Sequence, residues 1–140
     1  MASSNNTQLQ GTELGQQMAS RFLGEEFLAS VKAKLKDDIF TKTSMEFIYD
    51  PCFTGYARPG LEFRERALMN IAMLIALNRE AELRIHIRAA VNNGLTEQAI
   101  CEACRHAMIY CGVPAGRMAM IVASEIFAQL KESGEYPKKA

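Results

Sequence analysis

Two histidines and four cysteines are the residues of this 140-residue chain whose types and spacing favour chemistry. Glu82 and His86 are four residues apart in a helical pattern, so that the carboxylate can orient the imidazole and raise its basicity. Cys101 and Cys104 form a Cys-x-x-Cys pair, and His106 follows after one intervening residue. The pattern leaves three alternatives: a redox site, a metal site, or an acid–base site with cysteines nearby.

The cysteine pair favours packing over reactivity. A reactive Cys-x-x-Cys usually begins a helix, where the helix dipole lowers the pKa of the first thiol, whereas Cys101 is predicted well inside a helix. A metal site would use Cys101, Cys104 and His106, but helical spacing spreads these residues around the helix and the sequence has no second ligand pair. We therefore predict that both cysteines pack as small apolar side chains, and we expect no metal at this pair.

The composition is that of a soluble globular domain, with 49% apolar and 23% charged residues. Sixteen basic and sixteen acidic side chains balance, which argues against nucleic acid or an anionic membrane as a partner. The longest apolar stretch, near 67–77, is too short to span a bilayer. The polar N-terminus lacks the basic start and apolar middle of a secretion signal, so we expect a cytoplasmic protein with reduced thiols.

Apolar residues recur at helical spacing along most of the chain, and no run alternates as a strand would. We predict an all-α, single-domain bundle of about six helices over residues 12–131, with a disordered segment at 1–11 and a polar tail at 132–140. Three short helical segments precede Asp50, and a loop is expected at 51–60 because it contains two prolines and two glycines. The longer predicted helices cover 62–77, 80–93, 97–111 and 115–130.

Several of these helices are apolar around too much of their circumference for a monomer of this size. The excess predicts burial between subunits, mainly of the helices at 62–77 and 115–130.

Four motifs together carry a resemblance to a known family. They are Arg58-Pro59-Gly60-Leu61, Glu82-Leu83 with His86, Asn92-Asn93-Gly94, and Tyr110-Cys111-Gly112-Val113-Pro114. The chain resembles the γ-carboxymuconolactone decarboxylase family, within the alkylhydroperoxidase-D-like superfamily, from about residue 24 to 127. The resemblance implies an all-helical fold, a trimer or hexamer, and cofactor-independent loss of CO2 from a small acidic substrate.

The resemblance also distinguishes between the two chemistries of the superfamily. Its thiol peroxidases carry Cys-x-x-Cys-x-x-x-His on the helix that here holds His86, and the two thiol positions fall on Arg79 and Glu82. Neither side chain forms a thiolate, so we expect no peroxidase activity.

Site residues follow from the matched motif positions. The resemblance implies Glu82, His86 and His106 as catalytic residues, with His86 and His106 sharing a proton transfer and a hydrogen bond to the substrate carbonyl in an order that the sequence leaves open. It further implies that substrate-binding residues come from two arginines and two tyrosines at matching or neighbouring positions. These residues are Arg58, Arg88, Tyr56 and Tyr110.

The chain departs from the family in having no tryptophan, where degradative members carry tryptophans before the Arg-Pro-Gly-Leu element. Phe53 and Tyr56 occupy the corresponding region, so a different substrate is expected. The leading hypothesis is a carboxy-lyase acting on a carboxylated lactone or related conjugated acid. The alternatives are a biosynthetic relative that catalyses isomerisation or cyclisation by proton transfer, and a helical oligomer that binds without turnover.

Overall fold

The computed structural model describes residues 3–139, with side chains from residue 12 onward. Seven α-helices and no strand occur within this range, which confirms the all-α prediction. The chain divides into two compact units, Met1–Leu61 and Glu62–Ala140. The prediction of one helical domain over 12–131 therefore stays a prediction, and the two units are described separately. No helix in the described range is long and apolar enough to cross a membrane.

The first unit contains three helices and a tightly wound connection. The helices are α1 (Ser3–Leu23), α2 (Glu25–Lys32) and α3 (Ile39–Phe47). Gly24, with φ 93°, separates α1 from α2 as predicted, and the Asp38 side chain caps α3 by accepting a 2.8 Å hydrogen bond from the Thr41 N–H. The backbone is helical from Ser3, and the prediction of a disordered segment at 1–11 stays a prediction. Met1 and Ala2 lie outside the described residues.

The expected loop at 51–60 is partly wrong. Ile48–Phe53 forms a widened helical segment, interrupted at Asp50, and Thr54–Ala57 continues as a 3-10 turn. The Thr54 hydroxyl donates to the Asp50 carboxylate at 2.9 Å. Phe53 is buried, with its ring centroid 6.3 Å from that of Phe22 in α1. Burial of the Phe53 ring thus stabilises a helical conformation in a segment whose prolines and glycines alone predict a loop.

The second unit is built from four helices: α4 (Phe63–Ala76), α5 (Glu80–Asn92), α6 (Glu97–Cys111) and α7 (Val113–Glu132). The Glu62 side chain caps α4 reciprocally with Glu65. The Thr96 hydroxyl caps α6 by accepting from the Ala99 N–H at 3.1 Å, as predicted. The predicted turn after α5 is also present, since Gly94 adopts φ 85° and the Leu95 N–H returns to the Ala90 carbonyl at 3.0 Å.

Helix α4 packs against α5, α6 and α7 through one buried face, at Ala67, Ile71 and Ile75. Its opposite face leaves Met69 and Met73 each 50% exposed, and large apolar side chains are exposed elsewhere in the unit as well. These side chains are Leu77, Ile109, Tyr110, Val113 and Ile121.

The C-terminal residues are attached to the second unit. The Tyr136 ring lies 5.0 Å from that of Phe127, and its hydroxyl accepts a 3.1 Å hydrogen bond from the Glu97 N–H. The Lys138 ammonium donates to the Asn92 carbonyl at 2.6 Å. The polar tail expected after residue 131 therefore contacts α5, α6 and α7, and Ala140 lies outside the described residues.

Candidate functional site

His86 is half-buried on α5, between the fully buried Leu83 and Ile87. Burial lowers the pKa of His86 below that of a free imidazole, because desolvation penalises the charged form, and the negative charge of Glu82 opposes part of this shift. Glu82 is exposed one turn earlier on the same helix. Burial therefore favours the neutral form of His86, and Glu82 acts on this histidine through its charge.

The contact at the Nδ1 atom of His86 comes from a residue that sequence reasoning missed. The Asn70 side-chain Nδ2, on α4, lies 3.4 Å from this atom, and both side chains are partly buried. A signal was available, because Asn70 is the one polar residue between Ala67 and Leu77. A polar side chain inside an apolar helix needs a partner, and the candidate catalytic imidazole is one partner here.

The second histidine, His106, is exposed and lines a different surface. It borders a groove of about 530 Å³ between α4 and α6. The other lining residues are mostly small or apolar: Leu68, Ala72, Ala99, Ala103, Ala107, Tyr110 and Cys111. Tyr110 is 79% exposed, with its ring 5.2 Å from that of His106. Sequence reasoning missed the spacing of Ala99, Ala103 and Ala107, which places three small side chains on one face of α6.

The two histidines lie beside opposite sides of α4. Leu68 and Ala72 border the His106 groove and are one turn apart, whereas Asn70 lies two residues from each and so projects roughly the other way. His86 is not among the residues that line the groove. The structure therefore brings His106 and Tyr110 together, and Glu82 and His86 together, as two separate clusters.

Arg88 lies two residues after His86, on another side of α5. Its guanidinium donates to the Gln129 side-chain oxygen at 2.9 Å and lies 3.8 Å from the Glu135 carboxylate. These contacts tie α5 to α7 and to the C-terminal residues. The predicted role of Arg88 in binding substrate stays a prediction, beside this structural one.

The other two predicted binding residues belong to the first unit. Tyr56 is half-buried, with its ring 4.8 Å from that of Phe22 and 5.0 Å from that of Phe53, and Arg58 is exposed.

The cysteine pair is divided between the interior and the surface. Cys104 is fully buried, as predicted, and burial, together with the nearby Cys101, raises its pKa to about 11. Cys101 is exposed, so the prediction that it packs in the core is wrong. The reason is geometric: residues three apart on a helix are separated by about 60° around its axis, enough to move one off the buried face. Within the described residues, no group of three His, Cys, Asp or Glu side chains is placed to hold a metal ion.

This division predicts unequal effects of two matched substitutions. Cys104→Ala is expected to lower the free energy of unfolding by about 1–2 kcal/mol through lost packing, whereas Cys101→Ala changes it by less than about 0.5 kcal/mol. Urea unfolding of the two variants beside the parent protein measures the difference. Equal losses would contradict the burial described above.

The charge of Glu82 gives a second expectation. Because that charge raises the pKa of His86 against the effect of burial, Glu82→Gln should lower the pKa further, so that the imidazole stays neutral to a lower pH. Titration of the His86 ring followed by NMR measures this, with Glu102→Gln, an exposed carboxylate on α6, as the matched control. A rise in the His86 pKa in Glu82→Gln would show that the interaction has the opposite sign.

A half-buried imidazole whose neutral form is favoured, with a carboxylate one turn away, is an arrangement that can donate a hydrogen bond or transfer a proton. The carboxymuconolactone decarboxylase family model matches residues 44–125, and the chain belongs to this family. It is 37% identical over 126 residues to 4-carboxymuconolactone decarboxylase from Acinetobacter baylyi, covering 89% of this chain and 90% of that protein. It is 38% identical over 100 residues to nitrosuccinic acid decarboxylase from Metarhizium robertsii, covering 71% and 70%. These relatives support a decarboxylase-type activity and a small-molecule substrate.

Proposed function

We propose that this protein is a carboxy-lyase that acts on a substituted succinate whose departing carboxylate is attached next to an electron acceptor. The observation that carries the proposal is His86, an imidazole whose neutral form is favoured by burial and which has an acidic neighbour, in a chain whose relatives are named decarboxylases.

The substrates named for the two relatives share a chemical skeleton. 4-Carboxymuconolactone and nitrosuccinic acid each have a carbon that bears both a carboxylate and a carboxymethyl group. In the lactone this carbon is attached to the ring double bond that is conjugated with the ring carbonyl, and in nitrosuccinic acid it carries the nitro group. Loss of CO2 from either compound moves an electron pair onto an oxygen of the acceptor. We propose that the substrate of this chain has the same skeleton, with the acceptor left open.

His86 is proposed as the hydrogen-bond donor to that oxygen. When the carbon–carboxylate bond breaks, its electron pair becomes an enolate or nitronate, and negative charge develops on the acceptor oxygen. A neutral imidazole in a partly desolvated position stabilises this charge through its N–H group without the cost of burying an imidazolium. Carbon then takes a proton. His106 lies beside the other side of α4 in the same chain, so it remains the proposed source only if the proposed oligomer brings the His106 of a second copy to this substrate. The substrate is its own electron sink, so the proposal requires no cofactor.

The second carboxylate of such a substrate would be fixed by a guanidinium, because a forked donor matches a carboxylate and holds the reacting carbon in place. Arg58 and Arg88 remain the proposed candidates, and Tyr56 and Tyr110 remain proposed as neighbouring binding residues.

The direct test is to measure CO2 release by the purified protein from 4-carboxymuconolactone and from nitrosuccinate. Release from at least one compound is expected, and none from 2-methylsuccinate, which keeps the two carboxylates but lacks the acceptor. Deuterium exchange into the lactone without loss of CO2 would instead favour the isomerase alternative, which the lack of tryptophan supports. The absence of both CO2 release and deuterium exchange with both compounds would contradict this proposal.

A homo-oligomer, trimer or hexamer, remains proposed. Its support in the second unit is the exposed apolar face of α4, at Met69 and Met73, with the exposed Leu77 directly after the helix. Light scattering at micromolar concentration should give a mass at least three times that of the 15.6 kDa chain. Replacing Met73 by Glu should lower that mass, and a monomeric parent protein would contradict the proposal.

A further inference from the structure

The Asn70 atom that contacts His86 is a hydrogen-bond donor, and this limits which tautomer of His86 the contact can stabilise. The side-chain Nδ2 of Asn70 has hydrogens to donate and no lone pair to offer, and it lies 3.4 Å from the Nδ1 atom of His86, at the long end of hydrogen-bonding range. For this contact to be favourable, Nδ1 must be the acceptor and carry no proton. In a neutral imidazole the proton then lies on Nε2.

We propose that Asn70 is a positioning residue, which donates a hydrogen bond to Nδ1 of His86 and thereby fixes the tautomer whose Nε2–H is directed to the substrate. Asn70 acts through His86 and need not touch the substrate itself. The catalytic consequence rests on the proposed function, whereas the tautomer does not.

The position of Asn70 is difficult to explain by helix stability. Asparagine is a poor helix former, and residue 70 lies in the middle of α4 among apolar neighbours. A half-buried amide costs free energy unless it is paired. An uncharged donor also leaves His86 neutral, whereas a carboxylate at residue 70 would favour the imidazolium and accept from Nδ1–H. The Glu82 carboxylate, on the same helix, acts on His86 through its charge, but it is not part of the contact between Asn70 and His86.

The tautomer can be observed by NMR of the protein labelled with ¹⁵N-histidine, because protonated and unprotonated ring nitrogens resonate far apart. His106→Gln leaves His86 as the single imidazole, which assigns its signals. We expect an unprotonated Nδ1 and a protonated Nε2 in the parent protein above the His86 pKa. Asn70→Asp should move the proton to Nδ1 and raise the pKa of His86, and Asn70→Ala should give a mixture of the two tautomers.

The matched control is Asn78→Asp. It makes the same chemical change at an exposed residue outside the helices and should leave the tautomer of His86 unchanged. A proton on Nδ1 in the parent protein would overturn the proposal. So would an unchanged tautomer in Asn70→Asp, and the measurement on the parent protein stands even if that variant does not fold.

The kinetic test compares kcat with KM. A wrong tautomer in a catalytic histidine lowers kcat severely, so Asn70→Asp should lower kcat for CO2 release on the order of 10²-fold or more, with KM nearly unchanged. A shifted tautomer with unchanged kcat would overturn the catalytic half of the proposal. If the parent protein releases no CO2, the proposed function fails while the NMR result still decides whether Asn70 positions His86.

Discussion

Replacing His86 by alanine is expected to lower kcat for decarboxylation by about 10²–10³-fold, the usual cost of one lost donor to a developing oxyanion. KM should change little, because the hydrogen bond strengthens only as charge develops on the acceptor oxygen. Steady-state CO2 release from whichever of the two compounds is turned over measures both parameters. Unchanged far-ultraviolet circular dichroism in His86→Ala would show that α5 remains intact.

Pairs of substitutions separate the role of His86 from those of its neighbours. Glu82→Gln should change kcat much less than His86→Ala does, and the double variant should be scarcely different from His86→Ala, because Glu82 acts through the imidazole. His106→Ala should add its own loss, because His106 belongs to a separate cluster. Near-normal turnover in His86→Ala would remove the proposed mechanism, and full additivity of Glu82 with His86 would show that they act independently.

Activity should also depend on pH in a direction that identifies the active form. Since a neutral His86 is proposed to act, kcat/KM should fall as the pH drops through its lowered pKa. An increase in kcat/KM on acidification through the same range would identify the imidazolium as the active form instead.

The second large effect is expected from Gly116→Ala, which should lower the free energy of unfolding by about 1–3 kcal/mol. Gly116 is buried in α7, and a Cβ atom at this position would overlap the Cβ and Cγ atoms of Met108 in α6. The two helices approach so closely that the missing side chain is part of their packing. Thermal or urea unfolding measures the loss.

Two further variants make this prediction specific. Met108→Ala combined with Gly116→Ala should be less destabilised than the sum of the single variants, because the shortened side chain removes the overlap with Cγ, although the overlap with the Cβ atom of residue 108 remains. Gly55→Ala is the control, since nothing lies within 4 Å of the position its Cβ would occupy. Equal losses at residues 55 and 116, or full additivity at 108 and 116, would contradict the close approach of α6 and α7.

The sequence predicted the helices of the second unit to within about two residues, because apolar periodicity and local caps determine them. Thr96 and Gly94 begin and end helices through contacts with residues at most a few positions away. Helix α7 begins at Val113 rather than at the predicted Ala115, because proline is tolerated in the first turn, where its missing N–H has no helical partner. The Ile48–Phe53 segment was not predictable in the same way, since its winding depends on Phe22, far away in sequence.

The candidate site shows the same limit. Glu82 and His86 could be paired from the sequence because both lie on α5, one turn apart. The contact of Asn70 with His86 could not be predicted, because it joins two helices and the two residues are sixteen positions apart in the sequence. Neither the Gln129 contact of Arg88 nor the exposure of Cys101 could be predicted, since each depends on how the helices pack against one another.

The groove beside His106 has consequences for engineering this protein. Four of its eight lining residues are alanines, so its volume is set by side chains that can be enlarged but hardly reduced. A library of larger side chains at Ala72, Ala99 and Ala103 would reduce the volume of this groove in small steps. Because Asn70 projects from the other side of α4, such a library would leave the environment of His86 as it is. The groove beside His106 and the surroundings of His86 can therefore be changed in separate rounds of mutagenesis.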